Sequence, residues 1–165
     1  MLTIYKNVEK SVVVLNDLIK INNDRIACYE QALNDNEYLD TDLKNIFKEI
    51  ISEANEYKNE LMDKVKSLAH DPKNKVTISG ILHRAWMELK MTFIGNTRSA
   101  IINFCMYNEE IALQTYQAAL NVSDRINEDV TELIEQQQRS LRRTYELIRN
   151  YKEARHFHQT RLAYF

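Results

Sequence analysis

Along the first third of the chain, Val12, Leu15, Ile19, Asn22, Ile26, Tyr29 and Leu33 recur in alternating steps of three and four. That spacing puts them on one helical stripe and predicts a helix over about 10–34. A polar stretch, NDNEYLDTD, follows, and Asp40 or Thr41 can cap the next helix. Leu43, Phe47, Ile50, Ala54, Tyr57, Leu61 and Leu68 repeat the rhythm over about 42–69, until Pro72 forbids continuation. So short a connection makes the two helices antiparallel neighbours.

Residues 73–96 read differently. Ile78, Leu82, Trp86, Leu89 and Phe93 share one face of a short helix, with Ser79 as a cap and Gly95 as a stop. This segment is a crossover. A third long helix starts near Thr97 and turns Ile101, Cys105, Asn108/Glu109, Ala112, Tyr116 and Ala119/Leu120 inward. The fourth, capped by Asn127 and running to about 155, presents Val130, Ile134, Gln137/Gln138, Leu141, Tyr145 and Ile148.

The two helical pairs echo each other. Tyr29-Glu-Gln-Ala-Leu-Asn34 is repeated as Tyr116-Gln-Ala-Ala-Leu-Asn121, 87 residues on, and Tyr145 follows Tyr57 by 88. The chain thus reads as one all-α domain over 1–165. Its parts are hairpin 1 (about 10–70), a crossover (71–96), hairpin 2 (about 97–155) and a C-terminal tail (156–165). Two antiparallel hairpins joined by one long crossover form the connectivity of a ferritin-like four-helix bundle.

Composition removes the alternatives. The 165 residues include two glycines and one proline, where average usage gives roughly 11 and 8. Sheet folds need turn residues at short intervals and are excluded. The chain carries 22 Lys+Arg against 24 Asp+Glu, a net charge of −2, so it lacks the basic field that nucleic acid requires. The N-terminal MLTIYKNVEK has no apolar signal stretch, and Val12-Val13-Val14-Leu15 is too short to span a bilayer. Cys28 and Cys105, 77 positions apart, make neither a metal spacing nor a disulfide framework. A cytoplasmic protein with reduced thiols is the expectation.

A bundle of this connectivity can hold two metal ions between its helices. That requires one Glu on each of two helices and Glu-x-x-His on each of the other two. The inner faces instead offer Asn22 and Glu109, each seven residues before a tyrosine; the second helix has Glu53-x-x-Glu56 and the fourth Glu135-x-x-Gln138, and Glu53, Glu56 and Glu135 read more simply as solvated-face charges. None of the four histidines falls mid-helix: His70 and His83 flank or occupy the crossover, and His156 and His158 lie in the tail. Glu109, Glu53, Glu56 and Gln138 are the weak metal candidates, for iron or manganese, and no cofactor is expected. What remains is a buried polar band of Asn22, Glu109 and Gln138 with Tyr29, Tyr57, Tyr116 and Tyr145. Such groups must bond one another, and in doing so they fix helix register. No catalytic triad, phosphate loop or CxxC pair supports an enzyme. The tail keeps Phe157, Leu162, Tyr164 and Phe165, which call for burial over the bundle end or against a second copy in a homo-oligomer.

NDLIKINNDRIACYEQAL, SGILHRAWMELK and NEEIALQTYQAAL resemble a bacterial family of ferritin-like four-helix proteins catalogued as a domain of unknown function. The resemblance spans about 12–150, and His83-Arg84-x-Trp86-x-x-Leu89-Lys90 is its most specific piece. It implies a ferritin-like bundle and a bacterial source, without an established activity. Members often carry histidine where this chain has Tyr145, a departure that weakens a metal role. The expectation is a non-enzymatic structural or protein-interaction bundle, stress-related by family habit. The alternative is a metal-binding or di-metal oxidoreductase of ferritin type using Glu109. A ligand carrier with a tyrosine-lined interior would need a cavity that tight packing excludes.

Overall fold

The computed structural model describes the backbone of residues 2–34, 39–70 and 97–162, and side chains within 7–34, 39–69 and 97–154. Among the described residues lie four long helices: α1 (Leu2–Asn34), α2 (Thr41–His70), α3 (Arg98–Leu120) and α4 (Glu128–Leu162). A single 3₁₀ turn, Ser123–Arg125, lies between the last two. The first and last helices are longer than the apolar stripes predict. No glycine or proline interrupts 2–34 or 128–162, so nothing stops either helix. Val8, in the added part of α1, is buried. The crossover with its short helix, and the side chains of the tail, lie outside the described residues.

Of the two predicted caps among the described residues, Asp40 acts as one and Asn127 does not, while Thr97, read only as a helix start, also caps. The Asp40 carboxylate accepts the Leu43 amide at 2.9 Å, and Thr97 Oγ1 accepts the Ala100 amide at 3.2 Å, each removing an orphan N–H from a first turn. Asn127 behaves otherwise. Its Oδ1 accepts from Ser11 Oγ at 2.9 Å, while its backbone N–H bonds the same hydroxyl. That side chain ties α4 to α1 instead of capping.

Paired residues give the helix directions. Along α1, Arg25 meets Glu53 of α2 and Glu109 of α3, while Tyr29 packs on Phe47 and Cys28 faces Cys105. Advancing on α1 therefore means retreating on both neighbours, so α1 is antiparallel to each. Tyr116–Gln137 and Glu110–Tyr145 make α3 and α4 antiparallel, and Glu53–Thr144 and Lys64–Asp129 do the same for α2 and α4. Consequently α2 and α3 run parallel. Arg98, at the start of α3, lies 3.4 Å from Asp40 before α2, so the chain from His70 to Arg98 joins opposite ends of the bundle. This is the ferritin-like arrangement.

The interior forms two apolar halves. One gathers Leu15, Leu18, Leu61, Val130, Ile134 and Leu141 around α1, α2, α3 and α4. The other gathers Tyr29, Leu43, Phe47, Ile101, Ile102 and Ile148. Each fully buried aliphatic side chain contributes about 1.5–3 kcal/mol. Between the halves lies a layer of polar side chains.

Candidate functional site

Arg25 is the centre of that layer. It sits on the inner stripe of α1, three residues after Asn22 and four before Tyr29, and is 0% exposed. Its Nε donates to Glu109 Oε1 at 3.0 Å, Nη2 to Glu53 Oε1 at 3.1 Å, and Nη1 to Asn22 Oδ1 at 3.1 Å. Burial opposes the cation, but the charge of Glu109, helped by Glu53, holds Arg25 above its ordinary value. The guanidinium stays charged throughout the accessible pH range.

Glu109 is also 0% exposed, and its Oε1 accepts a second bond from Tyr29 Oη at 2.9 Å. Its Oε2 has no hydrogen-bond partner among the described residues. Glu53 reaches the surface, with a side chain 22% exposed. There it accepts Thr144 Oγ1 at 3.1 Å and Ser140 Oγ at 3.3 Å.

The network continues across the bundle. Asn22 Nδ2 donates to Tyr116 Oη at 2.9 Å, which donates to Gln137 Oε1 at 2.7 Å. Gln137 Nε2 in turn donates to Glu60 Oε2 at 2.8 Å. Burial, with the Glu109 charge beside it, pushes the Tyr29 hydroxyl well above the usual tyrosine value. Burial likewise raises Tyr116 despite its bond with Asn22, and it pushes Tyr57 up to about 12.

The structure brings Asn22, Glu109, Tyr29, Tyr116 and Tyr57 together and adds Arg25, Glu53, Glu60, Gln137 and Thr144. Two expected members are elsewhere. Gln138 donates to Gln117 at the surface, and the inward amide is Gln137. Tyr145 donates to Glu110 in an exposed bond, and Thr144 faces inward. One residue is a rotation of about 100° on a helix, enough to leave the core. Glu56 is exposed, and Glu135 is an exposed partner of Arg139 at 3.8 Å.

The repeat explains the slip. With an offset of 87 on both hairpins, Asn22 pairs with Glu109, Tyr29 with Tyr116, Ala54 with Leu141, Tyr57 with Thr144 and Leu61 with Ile148, all buried. Across the pseudo-twofold, Tyr29 bonds Glu109 while Asn22 bonds Tyr116. The equivalent of Arg25 is Ala112, and that of Glu53 is Ser140. The cation is thus present on one side only, and of the four equivalent positions two carry carboxylates, Glu53 on one hairpin and Glu109 on the other.

Residues 10–122 match the family described as a domain of unknown function, DUF2383. The chain belongs to the DUF2383 family. No curated protein matches this DUF2383 chain. Its fold is similar to that of a Dps1 mutant from Mycobacterium smegmatis, with a TM-score of 0.74, 10% identity, and coverage of 88% of this chain and 97% of that one. It is also similar to a ferritin-like, diiron-carboxylate protein from Bacillus anthracis str. Ames, with a TM-score of 0.61, 15% identity, and coverage of 90% and 96%. At these identities the likeness establishes the ferritin-like fold alone.

The donor set of this DUF2383 member does not fit a di-metal centre. Two ions need several carboxylates and two inward imidazoles. Here the two inward carboxylates already share Arg25, and Asn22 and Ser140 are neutral where the repeat would place two more. Among the described residues, no group of three His, Cys, Asp or Glu is arranged to hold a metal ion. Nor is any described helix long and apolar enough to cross a membrane.

Proposed function

We propose that this DUF2383 chain is a non-enzymatic structural or protein-interaction bundle whose centre is closed by an internal cation, Arg25. The observation that carries this reading is the fully buried guanidinium bonded to Glu109 and Glu53 at 3.0 and 3.1 Å. A guanidinium there neutralises the carboxylates that a divalent ion would need, and its planar fork holds α1, α2 and α3 in one register. Function then resides on the surface, including self-association through Phe157, Leu162, Tyr164 and Phe165. Cytoplasmic location and a stress-related role belong to the same reading.

The second reading, a metal-binding bundle using Glu109, draws support from the unpartnered Oε2 of that carboxylate. Elemental analysis of protein purified without chelator, with melting curves in added Mn²⁺ or Fe²⁺, separates the two. The proposal expects no stoichiometric metal and an unmoved midpoint. Stoichiometric iron or manganese that disappears in Glu109→Ala overturns it. Removal of residues 156–165 followed by light scattering tests self-association. An unchanged mass rejects the tail as the contact.

A further inference from the structure

One turn from Arg25 and Glu109, the two free cysteines face each other across α1 and α3. Cys28 follows Arg25 by three residues and Cys105 precedes Glu109 by four, so both pairs bridge the same helices. Their sulfurs are 3.9 Å apart, with Cys28 5% and Cys105 0% exposed. A single buried cysteine is explained as a small apolar side chain. Two thiols in contact, from different hairpins, form a reactive pair whose geometry selects its own product.

We propose that Cys28 and Cys105 form a thiol-oxidation site that takes hydrogen peroxide, a small neutral oxidant, and ends in an intramolecular disulfide between α1 and α3. This goes beyond the structural reading above and does not depend on it. The reacting group is Cys28, the more exposed of the two. The Cys105 thiol is held above its usual range by its hydrogen bond with Cys28, by burial and by the Glu109 charge, so it remains protonated.

In the first step the peroxide O–O bond breaks as a bond forms from Cys28 sulfur to oxygen, giving a sulfenic acid and one water. Cys105 sulfur then attacks Cys28 sulfur. The S–S bond forms, the S–O bond breaks, and the hydroxyl leaves with the Cys105 proton as a second water. Two thiols lose two electrons, and one peroxide becomes two waters. A disulfide bond of about 2.05 Å requires the sulfurs to approach by about 2 Å, a movement within the reach of side-chain rotation.

Surroundings select the oxidant and the outcome. The pair lies in the apolar cluster with Tyr29, Ala32, Phe47 and Ile102, which excludes charged or bulky disulfides. The disulfide adds no charge beside the buried Glu109 and Arg25. Because it joins residues 77 apart on separate hairpins, it closes a long loop and restrains the unfolded chain strongly.

The test treats the full chain with hydrogen peroxide and follows intact mass, thiol content after denaturation, and a non-reducing peptide map. The expected results are a loss of about 2 Da, disappearance of both thiols, one peptide linking Cys28 to Cys105, and a midpoint raised by about 10 °C that reductant reverses after unfolding. In Cys105→Ala, a sulfenic-acid trap should label Cys28. Should that variant fail to fold, the wild-type map alone decides. Intact thiols after prolonged exposure, separate sulfinic or sulfonic acids, or covalent dimers in place of the internal link would each overturn the proposal.

Discussion

Arg25 Nε lies 3.0 Å from Glu109 Oε1, with neither side chain exposed. A buried pair of this kind adds little over a well-packed apolar pair of equal volume, yet removing one partner leaves a charge with no water to solvate it. Arg25→Met should therefore destabilise the protein by about 3–5 kcal/mol in urea unfolding. Adding Glu109→Gln should return part of that loss. A double variant as unstable as the sum of the singles would show that the two side chains do not interact.

Neighbouring glutamines should behave differently. Gln137→Ala strips partners from Tyr116 Oη and Glu60 in a buried setting and should cost about 1–3 kcal/mol. Gln138→Ala removes an exposed contact with Gln117 and should stay within about 0.5 kcal/mol. Equal losses in paired denaturation curves would reject the assigned helix rotation.

Alkaline pH should loosen the polar layer. Burial holds the folded-state values of Tyr29 and Tyr116 above the ordinary tyrosine value of about 10. The protonated hydroxyls thus contribute stability that is fully present below pH ~10 and is lost as pH rises toward the folded-state values. Stability should fall above pH ~10 by up to about 1.4 kcal/mol per pH unit for each tyrosine. Tyr116→Phe should make the decline shallower when urea midpoints are compared at pH 9, 10 and 11. An identical slope in the variant would remove Tyr116 from the account.

The surface should be tolerant. Lys64 Nζ lies 2.9 Å from Asp129 Oδ2, with both side chains reaching solvent. Lys64→Ala should cost under about 1 kcal/mol, and less at high salt. A loss comparable to that of Arg25→Met would mean that this pair, too, fixes the bundle.

Most of the architecture is legible in the sequence. The stripes locate all four long helices, and the spacing from Asn22 to Tyr29 and from Glu109 to Tyr116 finds the facing halves of the site. Arg25 escapes because a charged residue beside an apolar one reads as solvent-facing, and Ile26 takes its place on the stripe. The available signal was the repeat. Ala112 reads as inward from its own helix, and 87 residues earlier stands Arg25. Comparing tyrosine with tyrosine produced an offset of 88 on the second pair, and that one-residue difference exchanges Thr144 for Tyr145. Glu53 reads as a surface charge because its carboxylate does reach solvent while also binding Arg25. The meeting of Cys28 and Cys105 depends on helix pairing across the bundle, which no local pattern encodes.

The pairing of Arg25 with Ala112 across the pseudo-twofold has an evolutionary consequence. If the two hairpins descend from one duplicated ancestor, that ancestor could have assembled as two identical copies. In the present chain one hairpin carries the cation and the other its buried counter-charge. Hairpin 1 paired with itself would set two guanidiniums against the partly exposed Glu53 alone, and hairpin 2 paired with itself would bury two carboxylates without an arginine. The halves have become complementary, and hairpin 2 no longer carries what a self-paired core would require.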